Sequence, residues 1–232
     1  MDRDQILRVS EIFESVQGEG ASAGTPSLFL RLATCNLRCA WCDTKYTWDW
    51  AAYRYDDEVR EADVTELAPR ILSSVDRHLV ITGGEPLLQA RALESLLRLL
   101  PEKLYVEVET NGTLAPSAGL AKRVNQWNVS PKLANSGELE HRRLRPEALT
   151  ALLETGAAWL KLVVKSGEES AEIAALLEST EWPRARVLLM PEAATRSALA
   201  ERMPLVQRLA ATFGVGVSPR LHVERWDGRR GV

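Results

Sequence analysis

Short apolar segments alternate with amphipathic ones along almost the whole chain, and this alternation limits the folds that are open to it. The apolar segments predict strands at 27–33, 79–82, 104–110, 127–129, 159–164, 186–190 and 215–217. The amphipathic segments predict helices at 65–73, 88–100, 147–153, 168–177 and 196–213. Pro69 and Pro204 predict a late start, a kink or a break in two of these helices. Strand–helix alternation of this kind favours a parallel α/β sheet with helices packed outside it.

Charge and hydropathy exclude several broad classes of protein. Lys and Arg total 29 and Asp and Glu total 32, giving a net charge of −3, which argues against broad electrostatic binding of nucleic acid. No apolar run approaches the roughly 18–20 residues of a membrane span. The N-terminus lacks the basic-then-apolar layout of a signal peptide. We therefore expect a cytoplasmic protein that binds neither nucleic acid nor membrane.

Polar and glycine-containing motifs follow four of the predicted strands. They are TGGEP at 82–86, ETNG at 109–112, SPK at 130–132 and MPE at 190–192. Any one of them alone could be a simple turn. Ligands bind beyond the carboxyl ends of parallel strands, so together these motifs predict one site lined by several loops.

All three cysteines of the chain lie in CNLRCAWC, at positions 35, 39 and 42. One interpretation is a zinc knuckle completed by one of the three histidines, although none has a knuckle-like spacing. A second is three unrelated buried thiols, which the polar loop around them disfavours. A third is a [4Fe–4S] cluster, which prefers four thiolates and would here keep one iron open for an outside ligand.

CNLRCAWC resembles the Cys-x3-Cys-x-aromatic-Cys signature of radical S-adenosylmethionine (radical SAM) enzymes, and TGGEP resembles their Gly-Gly-Glu segment. The resemblance implies a [4Fe–4S] cluster whose open iron binds S-adenosylmethionine. Reductive cleavage would then give methionine and a 5′-deoxyadenosyl radical. The fold implied is an abbreviated (β/α) partial TIM-like barrel of the radical SAM type.

The same resemblance assigns residues to the two cofactors. Cys35, Cys39 and Cys42 would hold the cluster. Residues expected at S-adenosylmethionine are Trp41, Cys42, Asp43, Gly84, Glu85, Glu109, Thr110, Asn111, Ser130, Pro131, Lys132, Met190, Pro191, Glu192 and Ala193.

A narrower resemblance covers essentially the full chain. EIFESVQGEG at 11–20, the arginine four residues before the first cysteine, and RLHVERW near the C-terminus resemble the 7-carboxy-7-deazaguanine synthase family. This implies a lyase of queuosine biosynthesis. It would contract 6-carboxy-5,6,7,8-tetrahydropterin to 7-carboxy-7-deazaguanine with loss of ammonia, using Mg²⁺ bound at Thr44. The implied substrate contacts are Val16, Gln17, Gly18, Arg31, Thr82, His222 and Val232.

Several of these residues have plainer interpretations. Arg31 could be an ordinary ion-pair partner, Thr44 a turn cap and His222 a structural histidine. Glu107 and Glu109 share one face of a strand, which is either solvated or the inside of a half-closed barrel.

The resemblance also implies an organisation and partners. We expect one domain over 1–232, with a substrate-binding segment at 1–26, a loop-rich segment at 48–63 and a tail at 218–232 that closes the site. A homodimer and an external electron donor such as flavodoxin or ferredoxin are expected. The alternatives are an activase of a glycyl radical enzyme and a non-enzymatic iron–sulfur or zinc binding module.

Overall fold

Nine strands form one sheet in the computed structural model, which describes residues 3–232. They are β1 Ile6–Val16, β2 Pro26–Leu32, β3 Arg60–Asp63, β4 His78–Gly83, β5 Tyr105–Thr110, β6 Gln126–Val129, β7 Ala158–Val164, β8 Val187–Pro191 and β9 Gly216–Val217. Their order is β3-β1-β2-β4-β5-β6-β7-β8-β9. From β2 through β9 neighbouring strands pair in parallel, whereas β1 pairs antiparallel with both β2 and β3.

Helices connect the parallel strands, as the alternation predicts. They are α1 Tyr55–Glu58, α2 Val64–Ser73, α3 Ala90–Leu99, α4 Ala118–Arg123, α5 Glu140–Arg143, α6 Pro146–Glu154, α7 Ser170–Ser179, α8 Arg196–Phe213 and α9 Leu221–Trp226. Short 3₁₀ turns occur at Arg3–Gln5, Lys45–Thr47, Pro86–Gln89, Ala134–Ser136 and Arg184–Arg186. The connection from β5 to β6 holds only the six-residue α4. The predicted α/β class and abbreviated (β/α) partial barrel are therefore confirmed.

Both proline-containing helices run through their prolines. Helix α2 begins after Asp63, whose carboxylate accepts the Thr65 amide, and continues past Pro69. Helix α8 begins after the Thr195 cap and continues past Pro204. A late start or a break at these prolines was therefore a wrong prediction. The well-capped first turns and the buried apolar faces offset the backbone hydrogen bond that each proline removes.

Two segments contain more regular structure than the sequence indicates. The segment at 1–26, whose first two residues lie outside the described part, contains the long strand β1, which contributes Leu7 and Val9 to the core. The segment at 48–63, expected to be loop-rich, contains α1 and the edge strand β3. The READ sequence of β3 is not apolar enough to indicate a strand. The strand forms because its backbone pairs with β1.

The two faces of the sheet have different partners. On β5, Val106 and Val108 point into the apolar core against the helices. Glu107 and Glu109 point to the other face, the inside of the half-closed barrel, and Glu107 is fully buried. The solvated-face interpretation of Glu107 is therefore wrong. Within residues 3–232, no helix has the length and apolar character needed to cross a membrane.

Candidate active site

A cavity of about 380 Å³ lies where the parallel strands end. Loops after β1, β2, β4, β5, β6 and β8 form its wall, together with the C-terminal segment. The structure brings most of the predicted residues into this wall: Val16, Gln17, Gly18, Arg31, Cys35, Cys39, Trp41, Cys42, Asp43, Thr44, Thr82, Gly84, Glu109, Thr110, Asn111, Ser130, Lys132, Met190, Glu192, His222 and Val232.

Four of the residues predicted to contact S-adenosylmethionine are not part of the cavity wall: Glu85, Pro131, Pro191 and Ala193. Glu85 is fully buried behind the wall. Its carboxylate accepts hydrogen bonds from the Thr110 hydroxyl at 2.8 Å and the Asn111 amide at 2.7 Å. Glu85 therefore shapes the ETNG turn that lines the cavity, and its oxygens are engaged there.

The cysteine loop presents three free thiols to the cavity. The backbone N–H of Leu37 lies 3.5 Å from the sulfur of Cys35, and the indole nitrogen of Trp48 lies 3.3 Å from the sulfur of Cys42. Burial raises the pKa of the Cys35 thiol to about 12. The free thiol therefore keeps its proton until a metal displaces it.

These features fit a cluster better than a single ion. Among residues 3–232, no group of three or more His, Cys, Asp or Glu side chains is arranged to hold one metal ion. A structural zinc site needs four converging ligands, so the zinc interpretation has no support here. Three thiols on one loop, two of them with an N–H group directed at the sulfur, and a cavity in front of them suit a [4Fe–4S] cluster with one open iron.

The Gly-Gly turn at Gly83 and Gly84 packs against the start of the cysteine loop and forms hydrogen bonds with its backbone. The Gly84 amide donates to the Leu32 carbonyl at 3.0 Å, and the Glu85 amide donates to the Thr34 carbonyl at 2.8 Å. A Cβ on Gly84 would lie 2.0 Å from the Thr34 oxygen and 2.9 Å from the Cys35 Cβ. Only a residue without a side chain allows this approach.

Residues of the SPK motif and the cysteine loop meet on one side of the cavity. The Lys132 ammonium lies 3.1 Å from the Ser130 hydroxyl and 5.6 Å from the centre of the Trp41 ring. The indole nitrogen of Trp41 donates to the Asn135 side chain at 3.2 Å. This side combines a cation, which can pair with a carboxylate, with a fixed aromatic ring, against which a flat heterocycle can pack.

Gln17 is committed to internal hydrogen bonds. Its amide nitrogen donates to Glu107 at 2.7 Å and to Glu109 at 3.1 Å, and its amide oxygen accepts the Glu19 N–H. The Thr82 hydroxyl donates to the other oxygen of Glu109 at 2.7 Å. The side chain of Gln17 therefore orients Glu109, and the backbone of its loop remains to contact a ligand.

Arg31 is held by one edge of its guanidinium. Its Nε donates to Glu11 at 2.8 Å, and the Tyr46 hydroxyl donates to the same carboxylate oxygen at 2.9 Å. The two terminal nitrogens of Arg31 have no hydrogen-bond partner within residues 3–232. The side chain lines the cavity, so it is more than a surface ion-pair partner.

An ionic cluster of Glu19, Asp43, Lys161 and Arg220 also lines the cavity, and Asp43 alone among these four was a predicted site residue. Glu19 contacts the Lys161 ammonium and accepts from Arg220 Nε at 2.9 Å. Arg220 also donates to Asp43 at 2.7 Å and to the carbonyl of Ala193. Burial raises the pKa of Glu19, but the cations Lys161 and Arg220 outweigh it and hold the pKa well below its usual range.

One member of this cluster has a sequence signal. Lys161 interrupts the apolar strand WLKLVV just as Arg31 interrupts SLFLRLA. Glu19 and Arg220 lie 201 positions apart in sequence, and local patterns do not reveal such a pairing.

The C-terminal segment lines the cavity with residues 227–232. Arg230 donates to Glu11 at 2.6 Å and to Glu58 at 2.7 Å, and its guanidinium lies 3.7 Å from the centre of the Tyr46 ring. His222, which lines the cavity, has its pKa lowered by burial. The same carboxylate of Glu11 thus holds both Arg31 and the tail.

Comparison with known proteins agrees with this geometry. The radical SAM superfamily profile matches residues 31–188, so the fold and the three-cysteine loop define a radical SAM protein. A curated 7-carboxy-7-deazaguanine synthase from Pyrobaculum aerophilum is 39% identical over 97% of this chain and 97% of its own. One from Hyperthermus butylicus is 38% identical over 94% of this chain and 92% of its own.

A solved structure agrees as well. The crystal structure of QueE from Escherichia coli superimposes with a TM-score of 0.68 at 25% identity, covering 92% of this chain and 93% of that one. The chain belongs to the 7-carboxy-7-deazaguanine synthase family.

Proposed function

We propose that this chain converts 6-carboxy-5,6,7,8-tetrahydropterin to 7-carboxy-7-deazaguanine and ammonia, a lyase step of queuosine biosynthesis. The observation that carries the proposal is a shared cavity. The cysteine loop and the residues expected at the substrate line the same space in a chain that belongs to this family. Loss of ammonia accounts for all the atoms that leave the substrate.

Cys35, Cys39 and Cys42 would hold the [4Fe–4S] cluster, because their free thiols face the cavity and N–H groups are directed at the sulfurs of Cys35 and Cys42. Trp41 and Lys132 would face S-adenosylmethionine from the side where a cation and an aromatic ring meet. When bound, the two cofactors supply an electron and a carbon-centred radical. The protein's part is to hold the substrate in front of them and to exclude water.

The substrate carboxylate would bind Arg31. Its terminal nitrogens are unpaired within the described chain and form a fork that matches a carboxylate. Glu11 and Tyr46 fix the orientation of that fork from behind. The pterin edge would be read by the backbone of Val16 and Gly18, because the Gln17 amide is engaged with Glu107 and Glu109.

Mg²⁺ would bind the Thr44 hydroxyl. Thr44 lines the cavity, and its Oγ1 lies 3.6 Å from the Cys42 sulfur. Mg²⁺ takes few protein ligands and completes its octahedron with substrate oxygens and water. The substrate carboxylate is the expected second ligand, since it would lie between Thr44 and Arg31.

Segments at both ends of the chain would complete the site. The segment at 1–26 supplies the loop after β1, and the tail at 218–232 supplies His222, Val232 and the Arg230 contacts. The family resemblance supports an external one-electron donor such as flavodoxin or ferredoxin, a homodimer and a cytoplasmic location.

One anaerobic reaction tests the proposal. Reconstituted protein would be mixed with dithionite, S-adenosylmethionine, Mg²⁺ and 6-carboxytetrahydropterin, and products followed by mass spectrometry. We expect 7-carboxy-7-deazaguanine, identified as the substrate mass less ammonia. The Cys39→Ala variant should form neither this product nor 5′-deoxyadenosine. Wild-type formation of 5′-deoxyadenosine without any deazapurine would refute the substrate assignment and favour the activase alternative.

A further inference from the structure

The sheet does not close on itself. Among the described strands, β3 and β9 form its two edges, so one side of the barrel has no strand-to-strand hydrogen bonds. Residues after β9 span this gap instead. The Gly20 amide donates to the Ser218 hydroxyl at 2.8 Å, and the Leu221 amide donates to the Gly18 carbonyl at 2.9 Å. We call this contact between residues 18–20 and 218–221 the clasp.

Arg220 lies at the centre of the clasp and is buried. Each of its three guanidinium nitrogens is directed at a different loop. Nε donates to Glu19 after β1, Nη2 to Asp43 after β2, and Nη1 to the carbonyl of Ala193 after β8. The side chain thus joins the loops after β1 and β2, near one end of the open sheet, to the loop after β8, near the other end, with hydrogen bonds to two carboxylates and one carbonyl.

The partners of Arg220 adjoin the two halves of the site. Asp43 lies between Cys42, a cluster ligand, and Thr44, the proposed Mg²⁺ ligand. Glu19 follows the backbone proposed to read the pterin, and His222 lies two residues beyond Arg220. A shift of Arg220 would therefore displace the cofactor side relative to the substrate side.

We propose that Arg220 is a positioning residue that fixes the cysteine loop in register with the substrate-binding loop across the open side of the barrel. The proposal rests on the proposed function. Arginine suits the task because its three nitrogens are fixed in one plane and far enough apart to serve three loops. Lysine keeps the charge but has a single nitrogen, so it can hold at most part of the arrangement.

The first test measures coupling, the amount of 7-carboxy-7-deazaguanine formed per 5′-deoxyadenosine released. We expect coupling to fall on the order of tenfold in Arg220→Gln and roughly threefold in Arg220→Lys and Asp43→Asn, because small misplacements of reacting groups cost large factors in rate. The matched control is Arg123→Gln. Arg123 binds the carbonyls of Pro101 and Leu104 at the other end of β5, outside the cavity wall.

Coupling separates positioning from a general loss of structure. Partial unfolding lowers 5′-deoxyadenosine and product together and leaves their ratio unchanged. Misregister lowers the ratio while the cluster absorption is retained. If Arg220→Gln does not fold, Asp43→Asn still tests the proposal. The Asp43 side chain is 48% exposed, so its replacement leaves no cavity in the core.

The second test uses the cluster-free protein and needs no activity. Hydrogen–deuterium exchange at the Gly20 and Leu221 amides should accelerate at least about tenfold in Arg220→Gln or Arg220→Lys, and not in Arg123→Gln, because these amides are protected by the clasp.

The outcomes separate the two proposals. Wild-type coupling in both Arg220→Lys and Asp43→Asn, with unchanged exchange at the clasp, would overturn the role of Arg220 and leave the proposed function intact. If the wild type makes no 7-carboxy-7-deazaguanine, the proposed function fails, and exchange at the clasp alone then decides whether Arg220 holds the loops together.

Discussion

Replacing Gly84 with alanine would test how firmly the cysteine loop is supported. Gly84 is not among the glycines with positive φ, so an alanine there meets no backbone strain. Its Cβ, however, would lie 2.0 Å from the Thr34 oxygen and 2.5 Å from the Thr34 carbonyl carbon. Side-chain carbons do not approach closer than 3.0 Å, so the loop must retreat by at least about 1 Å.

The energetic cost follows from two effects. Overpacking of a closely packed contact costs about 1–3 kcal/mol. The retreat also stretches the 2.8 Å hydrogen bond from Glu85 to Thr34, which contributes about 1 kcal/mol. We therefore expect Gly84→Ala to lower the free energy of unfolding by about 3 kcal/mol, equivalent to a fall in Tm of roughly 6–12 °C for a chain of this size.

The assay is thermal unfolding of the cluster-free protein, followed by iron and sulfide analysis after anaerobic reconstitution. Gly167→Ala is the matched control, because its Cβ would meet only Leu205 Cδ1 at 3.9 Å, an ordinary contact. We expect less cluster in Gly84→Ala and wild-type content in Gly167→Ala. Equal Tm values and equal cluster contents in the two variants would show that the Gly-Gly turn does not support the loop.

Three further predictions follow from single residues. Thr44→Ala should weaken the Mg²⁺ dependence of product formation and Thr44→Ser should retain it; an unchanged Mg²⁺ response in Thr44→Ala removes this residue from the metal site. Burial raises the pKa of Glu169, but hydrogen bonds from Asn135 and backbone N–H groups outweigh it and lower the pKa. Its stabilising effect is thus present above the ordinary value of 4.5 and lost as pH falls below it. In urea unfolding, Glu169→Gln should lose less stability than the wild type between about pH 5.5 and about pH 3.5; an equal loss refutes this. Leu96→Ala, at a fully buried position, should cost about 2–5 kcal/mol, and Leu99→Ala, 47% exposed on the same helix, much less; equal costs in urea unfolding would contradict the assigned core face of α3.

Local patterns predicted the elements whose structure is decided locally. The apolar runs and the leucines at helical spacing gave β2, β4–β9 and the larger helices to within a few residues. The strand-end motifs led to the cavity because parallel strands deliver their carboxyl ends to one place. Cys35, Cys39 and Cys42 were recognisable because their spacing is itself the motif.

Residues whose roles depend on distant partners were harder to predict. The Gln17 side chain looked free to bind a ligand, but Glu107 and Glu109, 90 and 92 positions away, occupy its amide. Strand β3 exists because β1 pairs with it. Arg220 lies in a recognisable motif, yet its function comes from loops 177 and 201 positions earlier in the chain. Periodicity and propensity contain no information about such pairings.

The clasp also has a consequence for biosynthesis. Residues 35–42 leave the ribosome long before residues 218–221 have been translated. Contacts between such distant parts of a chain form late in folding, after the local strand–helix units. During this interval the barrel is open on the side that the clasp later covers. We therefore expect the nascent chain to pass through a stage in which Arg220 does not yet hold the cysteine loop and iron and sulfide can reach the three cysteines from the open side.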